Sequence, residues 1–276
     1  MTMPSAPPPP PFRRTAPADQ ADGLRRLFSS RSMRFVPVVS NPFIAHGGVL
    51  IERLCTVLDE MELDTLLVDA SERGAAPKEL ANFDLAEGIE VLSERVAYLG
   101  ARGLPARWVD SQGSTRGFLD AIAEALPSTQ VVLVHASALE LARLFGRGDE
   151  GVSRPRPLVL CDDRPESMTH AYAALKIFAQ RADWRIHDLL MCAPRQSTHA
   201  RLVAERLAHC SDLFLGGVQR DWVQVDPAEP PTATPSAALV GLVEQLLSSA
   251  AVLNPGESER AGLRVALPSH RQPSMT

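Results

Sequence analysis

Lysine is nearly absent from this 276-residue sequence, with Lys78 and Lys176 the only two among 28 basic residues. Aromatic residues make up 5% of the chain and hydrophobic residues 45%, which favours a core of alanine, valine and leucine. The net charge is −5 at pH 7, so no overall basic field indicates nucleic acid as a partner. The length suits one large α/β domain with tails, or two small domains.

Cysteines are also few, and no CxxC pair occurs. Each lies in an apolar segment, so we expect buried reduced thiols rather than a disulfide set or a metal site. The four are Cys55, Cys161, Cys192 and Cys210. No run approaches the roughly 18 apolar residues of a membrane-spanning helix. The start MTMPSAPPPPPFRR is not followed by the apolar stretch of a signal peptide. We therefore expect a cytoplasmic protein with at most peripheral contact to the inner membrane or cell pole.

Hydrophobic patterning divides the chain into four parts. Residues 1–18 are proline-rich and are predicted to form a disordered tail. Residues 19–33 read as a short helix and linker, which Gly23 weakens, so we expect this helix to form fully only against a partner. Residues 34–250 alternate strands and helices as one domain. Residues 251–276 contain several prolines without a clear period and are predicted to be a second disordered tail.

The alternation in the domain predicts an α/β fold: a doubly wound, mainly parallel sheet with helices on both faces. Segments such as TLLVDA, QVVLVHA and RPLVLCDD are short, nearly all-apolar strands followed by polar turns, as in a sheet that is covered on both faces. The predicted strands are residues 34–39, 64–69, 106–109, 130–135, 157–161, 186–191 and 221–225. The predicted helices are residues 48–61, 90–101, 115–125, 137–145, 169–181, 198–211 and 236–250.

The segment FVPVVSNPFIAHGGVLIERL, residues 35–54, has the strand, glycine and helix layout of a phosphate-binding loop. Such a loop needs converging backbone N–H groups, a lysine at the terminal phosphates and a hydroxyl for magnesium. Here Pro42 has no N–H, and Gly47 and Gly48 stand where lysine and threonine belong. His46 can donate to an anion, and the helix start carries a weak positive end. Two interpretations fit this loop: a strand-to-helix turn without a ligand, or the remains of a nucleotide site. We do not expect it to hydrolyse ATP.

Polar residues also end the later strands. Asp69 follows the second strand, where it can orient water or a metal, or cap the following turn. His135 ends the fourth predicted strand, and we interpret it as a histidine satisfied by its neighbours. The carboxylates at 162–163 can bind a metal, or form a polar turn in which Ser167 or Thr169 caps the next helix. No nucleophile–base arrangement emerges from the serines, cysteines and histidines.

Three stretches resemble the MinD/ParA group of deviant P-loop ATPases, and most closely its FlhG (FleN) family. DQADGLRRLF, residues 19–28, is similar to the DQAxxLR N-terminal helix of that family. Residues 35–70 follow its order of strand, loop, helix and strand. RPESMTHAYAALKIFAQR, residues 164–181, is similar to its PEPTSITDAYALIK segment. The similarity covers about residues 19–250 and implies a P-loop NTPase-like fold.

The resemblance also shows where this sequence differs from the motifs of the family. The signature lysine of the family falls at Pro42, its second lysine at Gly47 and its magnesium-binding threonine at Gly48. The acid of the fourth strand falls at His135, and the asparagine that reads adenine falls at Cys192. The resemblance thus implies a pseudo-ATPase with no catalytic or metal-binding residue, which takes ATP and Mg only if the site still binds. The degenerate nucleotide site comprises Asn41, Pro42, His46, Gly47, Gly48, Asp69 and His135.

In the FlhG family, the N-terminal helix engages FlhF, an SRP-type GTPase, and stimulates it. The partner-binding residues implied here are Asp19, Gln20, Ala21, Leu24, Arg25, Leu27 and Phe28; the alternative is a solvated amphipathic segment. We expect a regulator of flagellar assembly, number or placement that also contacts basal-body components. A homodimer of this protein is compatible with the resemblance. Two alternatives stay open: a weak or atypical MinD/ParA-type ATPase using His46 and Asp69 in cellular positioning or partition, and a partition-type scaffold.

The family also uses a C-terminal amphipathic helix on the membrane. The corresponding helix here, residues 236–250, contains no lysine or arginine that could bind anionic lipid. We therefore expect this helix to pack in the core.

Overall fold

The computed structural model describes residues 32–77, 84–146 and 154–253. The strands in these ranges are β1 Met33–Val39, β2 Thr65–Ala70, β3 Ile89–Val91, β4 Val96–Gly100, β5 Val131–Ala136, β6 Leu158–Asp162, β7 Ile186–Cys192, β8 Val218–Val225 and β9 Ala251–Leu253. The α-helices are α1 Gly47–Glu60, α2 Gly117–Ala125, α3 Ala138–Phe145, α4 Pro165–Arg181, α5 Thr198–Leu215 and α6 Ala237–Ser248. A 3₁₀ helix covers Leu104–Trp108.

The strands form one sheet in the order β3-β4-β2-β5-β1-β6-β7-β8, and β9 pairs with β1 beside this path. All neighbours from β4 to β8 are parallel, whereas β3 on β4 and β9 on β1 are antiparallel. The sheet is therefore doubly wound and mainly parallel, as the sequence predicted. The carboxyl ends of the parallel strands meet at one edge, where ligands bind in such folds.

The core lies on both faces of the sheet because the central strands are apolar on both sides. On one face, α1 presents Leu50, Leu54 and Val57 at helical spacing against α6, which contributes Leu239 and Leu242. The other face packs against α2, α3, α4 and α5. Each of these buried leucines contributes about 1.5–3 kcal/mol.

Helix α6 is a core helix, as expected for the segment 236–250. Leu239, Leu242, Val243 and Leu246 are each at most 3% exposed. Among the described helices, none has the length and hydropathy to cross a membrane.

Two predicted elements are wrong. Residues 90–101, predicted as a helix, mostly form β3 and β4. Val96 and Leu99 are buried against the sheet, and Ser93 supports the turn by accepting the Val96 N–H at 3.2 Å. Residues 106–109, predicted as a strand, lie mostly in the 3₁₀ helix. This helix begins at Leu104, directly after Gly103 with φ of +77°, and Pro105 lies in its first turn.

One prediction about the chain ends is also wrong, and the others concern residues that the structure does not describe. Residues 251–253, assigned to a disordered tail, form β9 on β1. The proline-rich tail, the partner-binding segment 19–28 and residues 254–276 lie outside the described residues.

Candidate functional site

Asn41 fastens the loop between β1 and α1 to the rest of the domain. Its side chain is 8% exposed. The Nδ2 group lies 3.0 Å from three acceptors, which are the carbonyl oxygens of Leu160 and Ser167 and the Ser167 hydroxyl. Its Oδ1 accepts the Phe43 N–H at 3.1 Å. The loop conformation is thus set by protein contacts to β6 and α4.

Two backbone N–H groups of this loop donate within the loop itself. Pro42 has no N–H, the Phe43 N–H is donated to Asn41, and the Ile44 N–H is donated to the Asn41 carbonyl at 3.2 Å. The first-turn N–H groups of Gly47 and Gly48 have no intrahelical acceptor and carry the positive end of α1. The His46 side chain makes no capping hydrogen bond at this end. The helix start therefore offers donors to an anion.

One arginine contacts the loop, and the sequence analysis did not predict this contact. Arg164 donates from Nη2 to the Phe43 carbonyl. The same guanidinium pairs with Asp162, with Nε and Nη2 at 2.9 and 2.8 Å from Oδ2. Its charge is therefore compensated by a carboxylate, and its contact with the loop is to a carbonyl oxygen. The residue lies 121 positions from Phe43, so no local pattern could have indicated the contact.

Helix α4 begins four residues earlier than predicted, at Pro165. Neither Ser167 nor Thr169 caps it, because both lie inside the helix and the N-cap residue Arg164 makes no side-chain cap bond. The Ser167 hydroxyl instead accepts the Asp162 N–H at 2.9 Å. Ser167 thus belongs to the Asn41 hydrogen-bond cluster that holds the loop.

Asp69 and His135 face each other across β2 and β5, where they are register partners. Their Oδ1 and Nδ1 atoms lie 3.0 Å apart, and Oδ1 also accepts the Ser71 N–H at 3.1 Å. Burial pushes the pKa of Asp69 upward, but the hydrogen bonds from His135 and Ser71 outweigh it and leave that pKa below its usual value. Asp69 is therefore an anion at neutral pH that caps its turn and satisfies His135.

A second acidic environment surrounds Cys192 at the end of β7. Burial raises the pKa of this thiol to about 11, and the carboxylates of Asp162, Asp163 and Asp226 add to the effect. A neutral thiol cannot offer the paired hydrogen bonds of an amide. All four cysteines are free; Cys161 and Cys192 are buried, and the other two are half-buried.

A cavity of about 910 Å³ brings most of the predicted nucleotide-site residues together. It opens beside the loop and α1, and Asn41, Pro42, Gly47, Gly48, Asp69 and His135 line it. His46 is exposed and does not line it. In residues 32–77, 84–146 and 154–253, no group of three or more histidines, cysteines or carboxylates could hold a metal ion.

No protein-family model matches the sequence, and a search of curated proteins finds no match. Among solved structures, the MinD cell division protein of Aquifex aeolicus is similar over 78% of this chain and 97% of its own, with 12% identity and a TM-score of 0.52. Cobyrinic acid a,c-diamide synthase of Mycobacterium smegmatis, with bound ADP and magnesium, is similar over 78% and 94%, with 14% identity and a TM-score of 0.53.

A plasmid partition protein of Borrelia burgdorferi bound to AMPPNP is similar over 78% of this chain and 97% of its own, with 10% identity and a TM-score of 0.50. At these identities the similarity is one of fold. The chain therefore has a mainly parallel α/β fold that matches these MinD/ParA-type neighbours.

Proposed function

We propose that this protein is an FlhG-like pseudo-ATPase that regulates flagellar assembly, number or placement through protein contacts. The observation that carries the proposal is the loop between β1 and α1. Proline occupies the position that the resemblance gives to the signature lysine. Asn41 accepts the Phe43 N–H with its side chain and the Ile44 N–H with its carbonyl group. The loop is held by protein contacts where a nucleotide would hold it in an ATPase.

The missing lysines set the size of the loss. A hydrogen bond to a charged group contributes about 1.5–3 kcal/mol. Two such contacts correspond to about two to four powers of ten in affinity for a triphosphate. The glycine at position 48 also leaves magnesium without its hydroxyl ligand. Together these losses support a protein that does not turn ATP over.

The charges around the loop act in the same direction. Asp69 is an anion at the carboxyl edge of the sheet, and the other lining carboxylates of the cavity face the same space. Asp162, Asp163 and Asp226 lie near Cys192, the position of the adenine-reading asparagine. Arg164 pairs with Asp162, and the remaining carboxylates would repel phosphate groups.

Arg164 favours a second candidate, a weak or atypical MinD/ParA-type ATPase acting in positioning or partition. It is a cation that contacts the loop, as any surviving phosphate site would require. Its pairing with Asp162 argues against this role. His46 and Asp69 are less suitable, because His46 does not line the cavity and Asp69 is engaged with His135.

The proposed partner is an SRP-type GTPase of the FlhF kind, with basal-body components as further partners. Support comes from the segment 19–28, whose sequence resembles the FlhG helix that engages this GTPase. A ten-residue helix is marginal alone, and Gly23 weakens it further, so its ordering should be coupled to binding. The protein would then act in the cytoplasm, or peripherally at the inner membrane or cell pole.

The test is a pull-down with the purified SRP-type GTPase of the same organism, followed by its GTPase rate. Deletion of residues 1–30, or Gln20→Ala combined with Leu24→Ala, should abolish binding and stimulation. Asp22→Ala is the matched control, because Asp22 occupies one of the two variable positions of the DQAxxLR pattern. Binding that survives the deletion would refute the partner proposal.

A further inference from the structure

The cavity beside α1 has a lining in which carboxylates outnumber basic side chains. It lies at the carboxyl ends of β1, β2 and β5, with α1 on one side and the hairpin β3–β4 on the other. We propose that it binds a small organic cation, an ammonium or guanidinium group carried on an apolar body. This inference goes beyond the proposed function, because it requires neither ATP nor a protein partner.

The walls are suited to an apolar body of that size. Ile51 from α1, Leu67 from β2, Leu160 from β6 and Val96 and Tyr98 from β4 line the space. Its volume of about 910 Å³ lies inside the range of about 300–1,000 Å³ found for small-molecule sites. A ligand with an aromatic or branched aliphatic body can therefore pack against these side chains.

The lining is strongly acidic. One arginine, Arg73, stands against five carboxylates, and His135 is engaged with one of them. Asp69 contacts His135, and none of the other four carboxylates forms an ion pair in the part of the chain that the structure describes. The five are Glu52, Asp59, Asp69, Glu72 and Glu90. The field in the cavity thus attracts a cation and repels phosphate.

The floor offers specific acceptors to that cation. Ser40 is 6% exposed and lines the cavity, and its hydroxyl has no hydrogen-bond partner among the described residues. The Oδ2 atom of Asp69 has only a long contact, 3.5 Å from the Tyr98 hydroxyl. The Ser40 hydroxyl and the Oδ2 atom of Asp69 can therefore accept hydrogen bonds from an ammonium or guanidinium N–H.

The ligand class follows by comparing cations. A metal ion needs several ligating side chains at one point, and no such group exists among the described residues. The carboxylates instead come from α1, β2, β3 and the turn after β2, around apolar walls. Dispersed charge with apolar surface favours an organic cation.

The experiment is isothermal titration of the full chain, without nucleotide, with three probes that share one ring. These are 2-phenylethylamine as the cation, 2-phenylethanol as the neutral form and 3-phenylpropionate as the anion. Saturable binding of the amine, at least tenfold tighter than the alcohol, with no binding of the anion, supports the proposal. No saturable binding of the amine at millimolar concentrations, or equal binding of all three, overturns it.

Variants then assign the site. Asp69→Asn keeps an oxygen for the Ser71 N–H while removing the charge, and Glu52→Gln removes a charge from α1. Both should weaken the amine severalfold without changing the binding of the alcohol. Glu60→Gln is the matched control, because Glu60 is exposed on the same helix and does not line the cavity. Unchanged amine affinity in Asp69→Asn with an unchanged melting temperature would refute the site.

Discussion

Replacing Asn41 by alanine tests whether the loop before α1 is held by the protein itself. The change removes both amide donors and the acceptor for the Phe43 N–H. It leaves the carbonyl groups of Leu160 and Ser167 and the Phe43 N–H without their partner in a site that is 8% exposed. An unsatisfied buried polar group costs about 1–3 kcal/mol, and water can replace some of these bonds. We therefore expect a loss of about 2–4 kcal/mol in the free energy of unfolding.

The assay is urea unfolding of wild type and variant, with calorimetry as a second readout. For a domain of this size, such a loss corresponds to a decrease in melting temperature of about 5–15 °C. His46→Ala is the matched control, because it lies in the same loop, is exposed and makes no side-chain capping bond. Its effect should remain within about 0.5 kcal/mol.

A double-mutant cycle extends the test to the partner of Asn41. Asn41→Ala and Ser167→Ala remove the two ends of one buried contact at 3.0 Å. Their effects on the free energy of unfolding should therefore be non-additive by about 0.5–3 kcal/mol. If Asn41→Ala is no more destabilising than His46→Ala, the loop is not held by this amide and the reasoning is refuted.

Three further predictions concern other parts of the domain. Asp188→Ala should cost about 3–5 kcal/mol in urea unfolding, because it leaves Arg156, 3.4 Å away, without its buried partner; a loss below about 1 kcal/mol contradicts this. His187 is buried and its pKa is lowered to about 4, so the unfolded state binds the extra proton and stability should fall by about 3 kcal/mol as the pH decreases from about 6.5 to about 4. His187→Leu should flatten that urea-unfolding profile, and an unchanged slope refutes the assignment. The double variant Gly47→Lys with Gly48→Thr should bind ATP more tightly in a titration than the double variant Gly47→Ala with Gly48→Ala. Both positions have room for a side chain, because a Cβ at 47 meets only Ile44 at 3.7 Å and a Cβ at 48 meets nothing within 4 Å. Equal ATP affinities of the two double variants contradict this prediction.

The sequence predicted the central strands because they are short apolar runs between polar turns. β1, β5 and β7 begin and end within one residue of the predicted bounds. The segment 90–101 was assigned wrongly because an apolar pattern of this length fits a helix or a hairpin, and only the neighbouring β2 decides between them. The same limit applies to 106–109.

The site was predictable only in part. The loop, Asp69 and His135 could be placed at one edge because parallel strands end together. Two contacts of the loop join positions more than a hundred residues apart, so no local pattern indicates them. They are the hydrogen bonds from Asn41 to Leu160 and from Arg164 to Phe43. The acidic lining of the cavity is likewise assembled from several elements, none of which is acidic enough alone to indicate it.

The central claim, that this MinD/ParA fold no longer hydrolyses ATP, is tested most directly by magnesium-dependent phosphate release from the purified full chain. Wild type and Arg164→Ala are measured beside a protein-free blank, because Arg164 is the arginine found in contact with the loop among the described residues. The pseudo-ATPase account predicts that both rates equal the blank. Release above the blank in wild type that is lost in Arg164→Ala would contradict the account and establish the ATPase alternative.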